Sequence, residues 1–252
     1  MLKPRVIACL DVAADGVVKG TRFEGLQSIG VPDDLARRYE DQGADELVLL
    51  DITATRERRN PDFKTVNRVA RALAIPLTVG GGIATAAQAG QMLAAGADKI
   101  SINTAALARP ELLKEAADRY GTQAVVVAVD VRREGPGWRV YSSGGRTATP
   151  WTLADWLRKA EELGAGEVLL TSIDRDGTGQ GYDTGALKAA SRATSRPLIA
   201  SGGGAGPDDL ERALRIPGVT AVLVAGVLHR GEVTVMELKR ALAGRGMILR
   251  GA

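Results

Sequence analysis

Short apolar runs alternate with amphipathic stretches along the chain. The runs are RVIACLD (5–11), ELVLLD (46–51), PLTVG (76–80), DKISIN (98–103), QAVVVAVD (123–130), EVLLTS (167–172), PLIAS (197–201) and TAVLVAG (220–226). Runs this short and this apolar fit strands covered on both faces. Between them lie stretches such as PDDLARRYEDQG (32–43), AAQAGQMLAAG (86–96), PELLKEAADRYG (110–121) and LADWLRKAEELG (153–164). They place apolar residues at i, i+3 and i+4 and close on glycine, a common helix stop. Eight strands thus alternate with eight helices, the last near 234–243. Such alternation demands parallel strands joined by crossovers. Eight units in 252 residues predict an α/β fold, a (β/α)8 TIM barrel. An open doubly wound sheet is the competing arrangement.

The halves echo each other. GADELVLLD (43–51) parallels GAGEVLLTS (164–172), and IPLTVGGGI (75–83) parallels RPLIASGGGA (196–205), both offset by 121 residues. One half has four strands, too few to close a barrel. The expectation is one domain over 1–252 with an internal two-fold repeat of half-barrels, about 1–121 and 122–252. Two segments interrupt the pattern. VRREGPGWRVYSSGGRTATP (131–150) reads as a small hairpin inserted after the fifth strand, and AADGVVKGTRFEGLQSIG (13–30) as a long loop without structure of its own, a candidate lid.

Within VVVAVDV (125–131) a single carboxylate, Asp130, stands among apolar residues, and Asp11 stands in the matching place in VIACLDV (6–12). An isolated buried carboxylate is costly unless paired or protonated. At the C-terminal ends of the first and fifth strands, the two face each other across a barrel mouth, where sites of such barrels lie. Partial desolvation there can hold one as an acid and leave the other as a base. The plainer reading is that both cap loop N–H groups.

Glycine clusters flank this pair. GGG (80–82) ends the third strand and SGGGAG (201–206) the seventh. Glycine lets backbone N–H groups approach a phosphate. Gly81 and Gly82 with Asn103 and Thr104 predict one anion cradle; Gly202 and Gly203 with Ala225 and Gly226 predict a second on the opposite rim. Two cradles imply a ligand with a phosphate at each end. Thr171 ends the sixth strand, and Asp176 and Gly177 in DRDGTGQGYD (174–183) suit a hydroxyl-rich group; Lys19 in the candidate lid suits an anion.

Composition narrows the classes. A net charge of +3 without like-charge blocks fits a small anionic substrate, and 4% aromatic residues argue against stacked single-stranded nucleic acid. No apolar run reaches membrane-spanning length. A lone cysteine, Cys9, excludes an internal disulfide framework. The N-terminal residues enter a strand pattern at once, so no signal peptide is expected and a cytoplasmic location is the default. Cys9 reads as core filler and His229, the single histidine, as structural.

CLDV…VVKG (9–20), LDIT (50–53), TVGGGI (78–83), GADKISINTAA (96–106), LLTSIDRDGT (169–178), GYD (181–183) and VLH…ELKRAL (227–242) together resemble the cyclase subunit family of imidazole glycerol phosphate synthase, a histidine-pathway family. The resemblance covers essentially the whole chain. It implies a lyase that condenses ammonia with a bis-phosphate ribulosyl formimino-carboxamide ribonucleotide. The products are imidazole glycerol phosphate and aminoimidazole carboxamide ribotide. Asp11 and Asp130 become the catalytic pair, with no metal or other cofactor. It also implies a glutaminase partner on the barrel's other face. Arg5, Glu46, Lys99 and Glu167, at strand starts, are then an ammonia gate, and Asp98 a partner contact. No nucleic acid or membrane enters. The chain departs from the family pattern ahead of VVKG, where a basic residue is missing, and at Gly226, where a serine is usual; a cradle built from backbone N–H groups tolerates the second change. Two alternatives stay open: the pathway's related sugar-phosphate isomerase, which needs no ammonia, and a barrel that binds phosphorylated sugars without turnover.

Overall fold

Alternate side chains of the first strand go to two different cores. Val6, Ala8, Leu10 and Val12 pack into the large core shared with the helices. Ile7 and Cys9 turn the other way, joining Val48, Val126, Leu169, Ile199, Ala221 and Leu223 in a smaller cluster. A strand has a two-residue side-chain period, so a strand covered on both faces is apolar throughout. Polar side chains are admitted only at its two ends, and both ends matter below.

The computed structural model describes residues 3–13, 16–21, 24–57, 59–60 and 62–251, with the backbone alone at 19–21, 24–28 and 55–56. Its strands are β1 (Arg5–Ala13), β2 (Gly16–Thr21), β3 (Glu24–Gly30), β4 (Glu46–Asp51), β5 (Leu77–Gly80), β6 (Lys99–Ile102), β7 (Val125–Glu134), β8 (Gly137–Ser142), β9 (Thr147–Thr152), β10 (Glu167–Ser172), β11 (Leu198–Ser201) and β12 (Val219–Val224). Eight of them, β1, β4, β5, β6, β7, β10, β11 and β12, pair in parallel in that order, and β12 closes onto β1 through Arg5↔Ala221 to Ala8↔Val224. This is a closed (β/α)8 barrel, and the eight predicted strands are its staves. The inner cluster fills it as a packed core.

The helices are α1 (Pro32–Asp41), α2 (Ala54–Glu57), α3 (Phe63–Ala72), α4 (Ala86–Ala94), α5 (Thr104–Ala108), α6 (Glu111–Tyr120), α7 (Leu153–Glu162), α8 (Thr184–Ala193), α9 (Pro207–Leu214), α10 (Gly226–His229) and α11 (Val235–Ala243). The eight longer ones include all those predicted. The short α2, α5 and α10 were not expected: at four or five residues they are too brief to show an amphipathic period. Each follows the C-terminal end of a barrel strand, β4, β6 or β12.

The expectation of a structureless loop at 13–30 is corrected. The segment forms β2 and β3, an antiparallel extension that pairs back onto β1 through Val12↔Val17 and Ala13↔Gly16. Val17 and Val18 are buried. The glycines that read as loop punctuation, Gly16 and Gly30, sit at strand ends. The hairpin expected at 131–150 is present: β7 runs past the barrel and pairs antiparallel with β8, and β8 with β9.

A buried ion pair fastens the end of the chain to the N-terminal end of the barrel. The Lys239 ammonium donates to Asp45 at 2.7 Å and to the Arg250 carbonyl at 2.8 Å. The other Asp45 oxygen accepts the Val6 N–H at 2.8 Å. All three Lys239 and Asp45 bonds are charge-assisted, which offsets the desolvation of two ions. Among the described residues no helix is long and apolar enough to cross a membrane.

Candidate active site

The inward positions of β7 run Val126, Ala128, Asp130, while Val125, Val127, Val129 and Val131 face the helices. The two-residue period therefore carries Asp130 to the top of the barrel interior. On β1 the series Ile7, Cys9, Asp11 does the same. Three strands lie between β1 and β7 either way round the ring, so the aspartates come from opposite walls. Both line one cavity of about 540 Å³ at the C-terminal ends of the strands. Cys9 Sγ lies 3.5 Å from an Asp11 oxygen, and Cys9 is otherwise buried filler, as expected.

Asp130 is buried and, among the described residues, pairs with no cation. The Asn103 side-chain amide donates to it at 2.8 Å. Burial, and after it the nearby Asp176 charge, push its pKa up to about 7, with the Asn103 bond working in the opposite direction. Asp51, at the end of β4, makes the contrast. Its carboxylate accepts the Thr53 and Ala54 N–H groups at 3.1 and 2.9 Å and two Arg59 bonds at 3.0 Å each. That is the loop-capping role that Asp11 and Asp130 could have had. Asp51 fills it, whereas Asp130 caps nothing.

The glycine clusters lie where the two cradles were expected. Gly81 (φ 102°) and Gly202 (φ 85°) occupy left-handed backbone, and a Cβ on either would collide with a carbonyl: Asp51 O for Gly81, and Ser172 O at 2.7 Å for Gly202. Only glycine fits, and the backbone turns toward the cavity as a result. Gly81, Gly82, Asn103 and Thr104 line the main cavity on the β5–β6 side. Gly177, Gly202, Gly203 and Gly226 line a smaller adjoining recess of about 40 Å³ on the β11–β12 side. Asp176 and Ala225 line both spaces. Thr171 lines the main cavity, in register with Asp130 on the neighbouring strand. Lys19 lies on β2, and its side chain falls outside the described residues.

Other expectations sort differently. In the 174–183 segment Asp176 lines the main cavity, and Gly177 and Gly179 line the smaller recess. Asp174 accepts the Arg133 N–H at 2.9 Å, and Asp183 caps α8 through Ala186 N and accepts Trp138 Nε1 at 2.8 Å. His229 is structural: its Nδ1 lies 2.6 Å from the buried Tyr39 hydroxyl. Sequence reasoning missed Asp51 and Arg59, Ser101, Ser201, and Ser143 with Arg146 from the β8–β9 turn, all of which line the cavity. Asp51 and Ser201 could have been found as strand-terminal polar residues. Arg59 and Arg146 carried no such signal, because loops that fold over the rim bring them in.

At the opposite end of the barrel the four charged strand starts form a closed ring. Arg5 pairs with Glu46 at 2.6 Å and with Glu167; Lys99 pairs with Glu46 at 2.9 Å and Glu167 at 2.8 Å. Thr78 donates to Glu46 at 2.8 Å. Burial opposes the Arg5 charge, but Glu167 and Glu46 outweigh it and raise its pKa. Each carboxylate meets both cations, so the ring leaves no charge uncompensated. Asp98 sits exposed at the same end, accepting the Leu77 N–H at 2.8 Å.

Fold and lining define a class: a closed (β/α)8 barrel with an acidic, glycine-rimmed cavity at the C-terminal ends of its strands. A family model described as histidine biosynthesis protein matches residues 5–234. The chain belongs to that family. It is 49% identical over 250 residues to imidazole glycerol phosphate synthase subunit HisF of Myxococcus xanthus, with 99% of each chain covered. It is 48% identical over 250 residues to the subunit of the same name in Metallosphaera sedula, covering 99% of this chain and all of the relative.

Proposed function

We propose that the chain is the cyclase subunit of an imidazole glycerol phosphate synthase, acting as a lyase. Ammonia condenses with the ketone of a bis-phosphate ribulosyl formimino-carboxamide ribonucleotide, water leaves, and the intermediate cyclises and cleaves. The products are imidazole glycerol phosphate and aminoimidazole carboxamide ribotide. Full-length similarity to two proteins named as this subunit supports the assignment. One observation carries the chemistry: Asp11 and Asp130 reach a single cavity from opposite walls, and Asp130 is poised near neutral pH.

Each step moves a proton, so the site needs a group that can give one up and a group that can take one. A carboxyl with a pKa of about 7 exchanges readily in both directions at neutral pH. Asp130 is the proton shuttle, with Asn103 fixing its orientation, and Asp11 is its counterpart across the cavity. The cradles at Gly81, Gly82, Asn103 and Thr104, and at Gly177, Gly202, Gly203, Ala225 and Gly226, hold the two phosphates. Thr171, Asp176 and Lys19 contact the substrate between them. This chemistry requires no metal or other cofactor.

Ammonia is released by a separate glutaminase that docks on the end of the barrel carrying Arg5, Glu46, Lys99 and Glu167, where the ring acts as the gate and Asp98 as a partner contact. The subunit names of the relatives support a heterodimer. The chain works as one barrel domain made of two half-barrels, about 1–121 and 122–252, supported by the matched positions of the aspartates and cradles. As the chemistry is that of an intracellular biosynthetic step, the location is cytoplasmic.

Purified chain given substrate and ammonium salt without glutamine forms both products, and Asp11→Asn or Asp130→Asn reduces this by about a thousandfold or more. Full activity in both variants contradicts the assigned roles. Isomerisation without ammonia identifies the isomerase instead, and phosphate-ester binding without any turnover identifies a binding barrel.

A further inference from the structure

The first cradle has a wall that the glycine motifs do not provide. The β8–β9 turn reaches the main cavity, where Ser143, Gly144 and Arg146 line it together with Thr104 and Gly82. Of the two arginines lining that cavity, Arg59 is committed to Asp51 and Glu57. Arg146 is exposed and has no carboxylate partner among the described residues.

The turn is fixed in place. Ser143 N–H donates to Thr104 Oγ1 at 2.9 Å, and Gly145 is buried beside Ile173, which a Cβ there would meet at 3.1 Å. Ser143 is the single non-glycine among the described residues with a left-handed φ, 56°. A side chain held there reflects surroundings that over-determine the backbone, a feature that clusters at ligand clamps. The bond from Ser143 also occupies a Thr104 lone pair, so the Thr104 O–H is left to donate toward the cavity. A hydroxyl donor, a guanidinium and the Gly82 backbone thus line one cavity, a set of groups that matches a phosphate. Among the described residues the second cradle offers no such cation: its Arg230 is paired with Glu232 at 2.5 Å.

We propose that Arg146 is the phosphate-binding cation of the first cradle, held over it by the Ser143–Thr104 bond, and that one phosphate monoester end of the substrate seats against it. This rests on the two-phosphate substrate proposed above. The test uses the full chain and two readouts: ammonia-dependent turnover, and binding of inorganic phosphate by calorimetry. Arg146→Ala raises KM for the bis-phosphate substrate about tenfold or more while kcat stays within about threefold, as loss of a charge-assisted contact made equally in ground and transition states requires. Arg146→Lys recovers part of the loss, and phosphate affinity falls in the same order. Thr104→Val, which unpins the turn, moves KM in the same direction. Unchanged KM and unchanged phosphate affinity in Arg146→Ala overturn the proposal. Should the wild-type chain fail to turn over substrate while Arg146→Ala still loses phosphate affinity, the assigned reaction fails and the anion site stands.

Discussion

The two ends of the barrel treat buried charge in opposite ways. At the N-terminal end, Arg5, Lys99, Glu46 and Glu167 close a ring in which every ion meets two of opposite sign. At the C-terminal end, Asp130 is buried as well, but among the described residues it meets a neutral amide, Asn103, and lies near a second acid, Asp176. Three strands supply residues to both ends: β1 gives Arg5 and Asp11, β4 gives Glu46 and Asp51, and β10 gives Glu167 and Thr171. The difference is therefore one of side-chain choice, and it separates an arrangement that satisfies charge from one that holds a proton. A compensated ring contributes order and, in the proposed function, a gate. An uncompensated acid costs stability and is retained where proton transfer needs it.

The comparison can be broken at Asp130 first. Asp130→Asn is expected to remove about a thousandfold or more of the ammonia-dependent turnover and yet make the chain more stable at neutral and alkaline pH. The sign follows from the raised pKa. The folded state holds the proton to about pH 7, whereas the ordinary value is 3.8. The carboxyl therefore costs nothing below about pH 4, and stability falls as pH rises from there to about 7. Removing the charge recovers roughly 2–4 kcal/mol above pH 7 and little at pH 4. Denaturant unfolding of both chains across that range measures the difference.

The ring should respond in the opposite sense. Glu46→Ala leaves Arg5 and Lys99 each with one carboxylate partner and Thr78 without its acceptor. A loss of about 3–5 kcal/mol is expected in the same unfolding experiment. A smaller effect sharpens the account of the acid itself. Asn103→Ala removes a donor that favours the charged form, so Asp130 should titrate higher still; carboxyl titration or the pH dependence of turnover reads it. The smallest expected change is at Asp51, the strand-end aspartate that is fully partnered. Asp51→Asn keeps the cap geometry and weakens the half-exposed Arg59 pair, for a stability loss of about 1 kcal/mol.

Much of this was legible in the chain, for physical reasons that also mark where reading stops. The eight barrel strands were visible because both faces are covered, which leaves them apolar against amphipathic helices. Asp11 and Asp130 stood out because one carboxylate in VVVAVDV has no local explanation and the pattern recurs 119 residues apart. The residue types of the ring were visible at strand starts, but their mutual pairing depends on barrel closure. The 13–30 segment was misread because its glycines mark strand ends as readily as loops, and pairing to β1 decides between the two. Arg146 was invisible: nothing in GGRTAT distinguishes it from other exposed arginines until the β8–β9 turn places it at the cavity rim. Asn103 was read as a phosphate contact, and it also serves as the Asp130 donor, a pairing that only the β6–β7 adjacency creates.

The most direct measurement is the titration of Asp130 itself, followed by carbon NMR of labelled aspartate in the ligand-free chain and assigned by its absence in Asp130→Asn. A midpoint near pH 7 is expected. A midpoint below about pH 5, in the ordinary carboxylate range, would contradict the claim that this end of the barrel is built to hold a proton.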